Sequence, residues 1–342
     1  MVRAGAGGAG QDGAMSPLRI GVLGAARIAP AALVKPARRV DDVEVTAVAA
    51  RDRARAESFA KKHGIPRVHG SYDDLITDPE IDAIYNPLPN GLHGRWTIAA
   101  LEAGKHVLCE KPFTANADEA RAVAAVAART GLVCMEAFHY RYHPLAQRLA
   151  DIVQGGELGT IRRLETWMCI PLLPKGDIRW NLALAGGTTM DVGCYALHLL
   201  RSMAGEEPTV ESAHAKERSP GVDRVMSAEL RLPSGATGSI TVSMLSRRLL
   251  SLGARVTGDT GTLKVFNPYA PQYMHRVTIR DAKGKRRERF SKDPTYLFQL
   301  RAFAGAVLRG EPILTGPDDS IATMTAIDAC YRAAGLDPRQ PS

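Results

Sequence analysis

The stretch HVLCEKPF, residues 106–113, runs apolar residues straight into Glu110, Lys111 and Pro112. The run predicts a buried strand, and the proline biases Lys111 towards extended backbone geometry. An ammonium fixed in direction at the end of such a strand gains little from water, which makes Lys111 a candidate for chemistry. A second candidate is GVLGAARIAP, residues 21–30, which follows an apolar run and opens a helix. In that context backbone N–H groups and the positive end of the helix can meet a pyrophosphate. Read as GxGxxG/A, the register is Gly24-Ala25-Ala26-Arg27-Ile28-Ala29, with Ala26 where a second glycine would let the backbone approach the phosphates. Further on, AARDRAR places Arg51 about where a carboxylate would read the ribose of NAD. The planar fork of Arg51 suits the extra phosphate of NADP instead, so NADP is expected ahead of NAD. Asp52 beside it reads as the cap of the following helix.

Two other chemistries are weighed and set aside. His139 and His143 stand four apart, a spacing that could hold a metal on a helix. Pro144 pushes His143 out of helical geometry, and no HExxH pattern supplies a third ligand or a base. No metal site is expected. No GxSxG elbow is present either, so serine hydrolase chemistry has no support.

These residues need elements to hold them. The first third alternates strand-like runs (LRIGVLG, VEVTAVAAR, IDAIYNP, HVLCE, LVCMEAF) with helical stretches near 52–63, 92–103 and 116–130. Asn116 with Glu119 marks one helix start and Gly131 its end. Such a rhythm predicts a parallel, doubly wound sheet. After about 140 come helical segments near 144–154 and 188–204, then consecutive strand-like runs from ESAHAKE to GTLKVFN. The fold class is therefore α/β, with a Rossmann dinucleotide-binding domain over 17–138 and a second α/β domain over 139–335. The second is expected to have a large, mostly antiparallel open sheet, with helices near 294–309 and 318–334 closing the chain. The glycine- and alanine-rich residues 1–16 read as a disordered leader.

Composition bounds the partners. A length of 342 residues favours two domains. No run reaches the roughly 18 apolar residues a membrane span requires. Five cysteines without a CxxC pair read as small core residues in a reducing compartment, and the cytoplasm is expected. The net charge of +8 is spread out, and its densest run, Lys283 to Arg289, lies between strand-like segments without interleaved aromatics. It reads as a solvated hairpin turn, so no nucleic-acid partner is expected.

Taken in order, GVLGAARIAP, Asn90-Gly91-Leu92-His93, Glu110-Lys111-Pro112, EAFHYRYHP and GGTTMDVGCYALH closely resemble the family of glucose–fructose oxidoreductase, inositol dehydrogenase and MocA. The resemblance runs from about 17 to 335 and is nearest the branch of NADP-dependent sugar dehydrogenases and dimeric dihydrodiol dehydrogenase. It implies cofactor contacts from Gly24, Ala26, Arg27, Ile28, Arg51, Asn90, His93, Glu110, Lys111 and Arg141. It places Lys111 beside the nicotinamide, and Tyr195 where inositol dehydrogenases have a histidine. Hydride transfer from a carbinol needs a base for the hydroxyl proton, and the reverse needs an acid. A tyrosine near its usual pKa of about 10 is poorly matched to neutral pH, and a neighbouring ammonium lowers it. Lys111 is thus expected to tune Tyr195, which carries the proton. Asp191, one helical turn before Tyr195, matches the family's D-x-G-x-Y/H and is placed with the catalytic pair. His198, Arg179 and Trp180 are expected to face the substrate, a sugar or polyol. The alternatives are a ketoreductase acting on a nucleotide-linked sugar and a non-catalytic NADP-binding regulator. A broad apolar sheet face would need a cover, so a homodimer or higher homo-oligomer through the second sheet is expected.

Overall fold

The computed structural model describes residues 16–173, 176–248 and 250–342. The expected leader, apart from Ser16, lies outside these residues. Six strands build a parallel sheet: β1 (Leu18–Leu23), β2 (Val43–Ala49), β3 (Arg67–His69), β4 (Ala83–Asn86), β5 (His106–Cys109) and β6 (Cys134–Glu136). Their order is β3-β2-β1-β4-β5-β6, the doubly wound arrangement whose switch point falls between β1 and β4. The strands read as continuous apolar runs because helices cover both faces, as parallel sheets require. Helix 117–130 begins as its sequence signals: the Asn116 side chain accepts from the Glu119 N–H at 2.9 Å, and Glu119 accepts from Ala115. Gly131 ends it at φ +67°.

Eight further strands form the second sheet: β7 (Ile161–Cys169), β8 (Thr209–Ser219), β9 (Val222–Arg231), β10 (Thr237–Ser243), β11 (Ser251–Gly258), β12 (Thr262–Phe266), β13 (Arg276–Asp281) and β14 (Gly284–Glu288). The order is β14-β13-β12-β11-β7-β10-β9-β8, antiparallel throughout except where β7 meets β10. The basic run is the β13–β14 hairpin, with Arg286 paired to Asp281 and Glu157. One face of the sheet buries Leu164, Ile240, Met226, Ala254, Val256 and Leu263 under the helices. The other face departs from the expected apolar surface. Arg163 lies 3.6 Å from Glu165 and 3.2 Å from Glu229, and Arg255 and Lys264 are exposed beside them. Alternation in IRRLETWMC sends Arg163, Glu165 and Trp167 to this side and Leu164 and Thr166 to the other, as antiparallel sheets with one wet face do. Trp167 packs against Gly253, where a Cβ would come within 2.5 Å of the indole.

Helix 295–309 follows the second sheet in sequence but packs on the first. Its Leu297, Leu300 and Phe303 share one core with Leu18, Ile20 and Val22 of β1. Helix 317–333 meets helix 117–130 and β8, so it ties the two halves together.

Glu136, the last residue of β6, is fully buried, and burial pushes its carboxyl up to about 8. A folded value above the unfolded one means the folded state holds the proton more tightly. The stability this gives is complete below about pH 4 and is lost as pH rises towards 8. Glu136→Gln should therefore unfold at a higher temperature than the wild type by a margin that grows from about pH 5 to 8. Thermal unfolding across that range checks it, and a constant margin would contradict it.

Candidate active site

The Lys111 side chain is 15% exposed, and its Nζ donates to the Asp191 carbonyl at 2.9 Å and to Asp191 Oδ1 at 3.2 Å. Asp191 lies in the tight turn Thr189–Gly193 that runs into helix Cys194–Ala204. Its Oδ1 also meets Arg179 Nε at 3.2 Å. Burial would lower the lysine, but Asp191 together with Cys194 and Glu110 outweighs it and holds the ammonium above its ordinary value. Burial would raise Asp191, but Lys111 and Arg179 together keep it ionised and below the usual range. The ladder continues outward. Arg179 Nη1 is 3.5 Å from Asp177 Oδ2, and Arg27 Nη2 reaches that oxygen at 3.2 Å from the glycine turn.

Tyr195 packs against the same lysine, though not as expected. The ammonium stands 5.0 Å over the ring centroid, a cation–π placement, while the hydroxyl meets His139 Nε2 at 2.9 Å. Burial first, then Tyr296 and Glu110, hold the phenol well above its ordinary value. The lowering expected from Lys111 does not prevail, and the ammonium bonds to Asp191 rather than to the phenol oxygen.

The glycine turn fits a dinucleotide. Gly24 stands at φ +83°, and a Cβ there would meet Leu88 at 3.1 Å, so only glycine is comfortable. Arg27 and Ile28 project outward, and Ala26 is half-buried beside them. Arg51 is exposed at the end of β2, with no side-chain ion pair among the described residues. Asp52 caps helix 53–63 by accepting from the Arg55 N–H, and Arg55 Nη2 holds the Ala25 carbonyl at 3.0 Å. Arg141 is half-buried, and its Nη1 is enclosed without a hydrogen-bond partner among the described residues.

Several expected contacts serve the framework instead. His93 is 1% exposed, with its ring nitrogens 2.7 Å from the carbonyls of Pro112 and Leu88, so it clamps the Lys111 turn rather than a cofactor. Glu110 is buried and accepts from Tyr85 Oη at 2.8 Å. Asn90 Nδ2 ties the loop after β4 to the Ala185 carbonyl. His198 does not face a substrate. It is fully buried, stacked on Phe138 at 4.0 Å, and bonded to Tyr140 and Asp319, because a buried imidazole takes partners for both nitrogens. Trp180 is 7% exposed and lies under the Arg218 guanidinium at 4.6 Å, a core position capped by a cation. His139 and His143 part company: His139 turns to Tyr195, while His143 caps helix 144–154. Asp177, Arg55 and Thr295 were not singled out in the sequence. Only the proximity of Asp177 to Arg179 hinted at its role.

A switch-point sheet with a glycine turn, joined to an open-sheet half at a lysine–aspartate–tyrosine cluster, defines a dinucleotide-dependent oxidoreductase. Residues 18–138 match the oxidoreductase family with an NAD-binding Rossmann fold, and residues 146–264 match the GFO/IDH/MocA C-terminal domain. The chain belongs to the GFO/IDH/MocA oxidoreductase family. It is 38% identical to a D-xylose 1-dehydrogenase (NADP(+)) of Haloferax volcanii, over 93% of this chain and 97% of that protein. A solved 3-ketoreductase from Actinomadura kijaniata, in complex with NADP and TDP-benzene, is 32% identical with a TM-score of 0.86, covering 93% of this chain and 98% of that one. A trans-1,2-dihydrobenzene-1,2-diol dehydrogenase of Sus scrofa is 36% identical over 66% of this chain and 67% of that protein.

Because Asp191 makes the largest contribution to holding the Lys111 ammonium charged against burial, Asp191→Asn should lower the lysine's pKa and free its amine. Acylation of Lys111 by an amine-reactive ester at pH 8, followed by peptide mass, should then run several-fold faster than in the wild type. An unchanged rate would contradict this account of the pair.

Proposed function

We propose that the protein is an NADP-dependent oxidoreductase moving hydride between the nicotinamide and a carbinol or carbonyl carbon of a sugar, polyol or cyclic diol. The observation that carries the proposal is Lys111 and Tyr195 packed together beside Asp191 at the carboxyl ends of the parallel strands, where doubly wound sheets place their ligands. Gly24, Ala26, Arg27, Ile28 and Arg51 would hold the dinucleotide, which when bound supplies or accepts the hydride. Lys111 holds a positive charge where alkoxide character develops on the substrate oxygen, a preorganised stabilisation. Tyr195 gives its proton to that oxygen as a carbonyl is reduced, and takes it back in the reverse direction. A phenol held above its ordinary pKa stays protonated at neutral pH, which favours the acid role. Arg179, 43% exposed and shared between Asp177 and Asp191, is the side chain placed to meet substrate hydroxyls. The half from about 139 onward would supply this substrate face, and the first 138 residues the cofactor face.

A ketoreductase acting on a nucleotide-linked sugar is the second reading, supported by the likeness to the Actinomadura enzyme over nearly the whole chain. A regulator that only binds NADP would need none of Lys111, Asp191 and Tyr195. A homodimer through the open sheet face, and a cytoplasmic location, complete the proposal. The dimer contacts would be ion pairs and Trp167 rather than a broad apolar surface. Among the described residues no helix is long and apolar enough to cross a membrane.

Turnover of NADP+ with a panel of aldoses, polyols and cyclic diols, read by nicotinamide absorbance, tests the activity. Tyr195→Phe should lower kcat about 10²–10⁴-fold while NADPH affinity barely changes. If instead KM rises with kcat intact, Tyr195 only binds substrate. Arg51→Asp should weaken NADPH about ten- to a hundredfold and leave NADH little changed. Equal wild-type affinity for the two cofactors would overturn the role of Arg51.

A further inference from the structure

We propose that His139 is a positioning residue for Tyr195, donating from Nε2–H to the Tyr195 oxygen while Thr295 fixes the imidazole tautomer. The inference rests on the reading that Tyr195 carries the proton. His139 lies in a turn after β6, is 6% exposed, and bridges Tyr195 Oη at 2.9 Å and Thr295 Oγ1 at 2.7 Å. Thr295 opens helix 295–309 and is fully buried. The Tyr296 ring packs on the imidazole at 4.1 Å and closes that side.

The proton that Tyr195 must keep free for the substrate assigns the tautomer. A neutral imidazole has one N–H and one acceptor nitrogen. With the proton on Nδ1, the Thr295 hydroxyl proton would have no acceptor in the site, and the Tyr195 proton would be committed to His139. With the proton on Nε2, Thr295 donates to Nδ1, His139 donates to Tyr195, and the Tyr195 proton is left free to point at a substrate oxygen. Each arrangement leaves one hydroxyl proton without a protein acceptor, that of Thr295 in the first and that of Tyr195 in the second, and only the second leaves it on the group that hands a proton to substrate. Burial, and then the charge on Lys111, push the imidazole down to about 3, so His139 is a neutral donor throughout the working range.

A donor aimed at the phenol oxygen favours the phenolate over the phenol. Among the described residues it is the one neutral hydrogen bond opposing the burial that raises Tyr195. Of the charged groups around the phenol, Lys111 faces the ring, whereas Glu110 and Asp191 disfavour the anion. The remaining titratable neighbours are the phenols of Tyr140, Tyr269 and Tyr296, and the Cys194 thiol. His139 is thus the group whose removal moves the proton affinity of Tyr195 without removing a charge.

Two measurements test this. Nitrogen-15 NMR of the labelled protein should show His139 protonated on Nε2 and bare on Nδ1 from pH 5 to 8, and Thr295→Val should erode that preference. A ring protonated on Nδ1 would overturn the proposal, and this arm needs no substrate. In the second arm, kcat for oxidation of D-xylose by NADP+ is followed against pH. His139→Leu should move the alkaline-rising limb up by about one to two pH units and lower kcat at pH 7 at least tenfold. His139→Gln, which can accept from Thr295 and donate to Tyr195, should recover most of the loss. A limb unmoved in His139→Leu protein that still binds NADPH would overturn the proposal, as would failure of His139→Gln to recover any rate. Full kcat in Tyr195→Phe would instead overturn the acid–base reading of Tyr195 itself.

Discussion

A buried ammonium has to be answered by an anion, and the pairing of Lys111 with Asp191 is the constraint around which the rest is arranged. The lysine comes from the end of β5 in the parallel sheet, and the aspartate from the turn that opens helix 194–204 in the other half. Breaking a buried pair by removing one partner costs about 3–5 kcal/mol, because the survivor's charge is left uncompensated. The pair therefore sets where the two halves meet. His93 and Glu110 hold the lysine's turn from below, and Arg179, Asp177 and Arg27 extend the alternation of charge to the glycine turn. The two halves are thus joined by charge as well as by packing.

Taking the ammonium for Asp191 leaves Tyr195 in an apolar cage. Its ring is edge-on to Phe138 at 5.5 Å and to Tyr269 at 5.8 Å, and its hydroxyl sees a neutral imidazole. A phenol so placed keeps its proton until an oxygen with more negative charge arrives. The arrangement suits an acid in reduction, and oxidation then depends on whatever favours the phenolate, in the way general acids and bases are matched to their task.

Much of the first half was legible in the sequence because parallel strands buried on both faces read as unbroken apolar runs. The capping of helix 117–130 was equally local, since Asn116, Glu119 and Gly131 act within one turn of the helix ends. Lys111, Asp191 and Tyr195 could be found because each sits in a short contiguous motif. What was not legible depends on distance along the chain. His139 lies 56 residues from Tyr195 and 156 from Thr295, so its four-residue spacing from His143 suggested a metal pair and hid its partners. His198 and Trp180 were assigned by position in a motif, which does not say whether a side chain turns to the cleft or to the core. The polar open face of the second sheet was written in the alternation of β7, although an apolar face was expected. The docking of helix 295–309 on β1 was invisible, because amphipathic spacing names a buried stripe and not the surface that buries it.

The central claim is that hydride passes directly between substrate carbon and NADP at the Lys111–Tyr195 cluster. Incubating the protein with NADP+ and D-xylose deuterated at C1, D-glucose deuterated at C1 or glycerol deuterated at carbon, and weighing the NADPH formed, tests it most directly. The account predicts one deuterium per NADPH on a single face of the ring in the wild type, with formation suppressed in Tyr195→Phe. NADPH formed without deuterium, or no reduced cofactor with any carbinol while NADP remains bound, would contradict it.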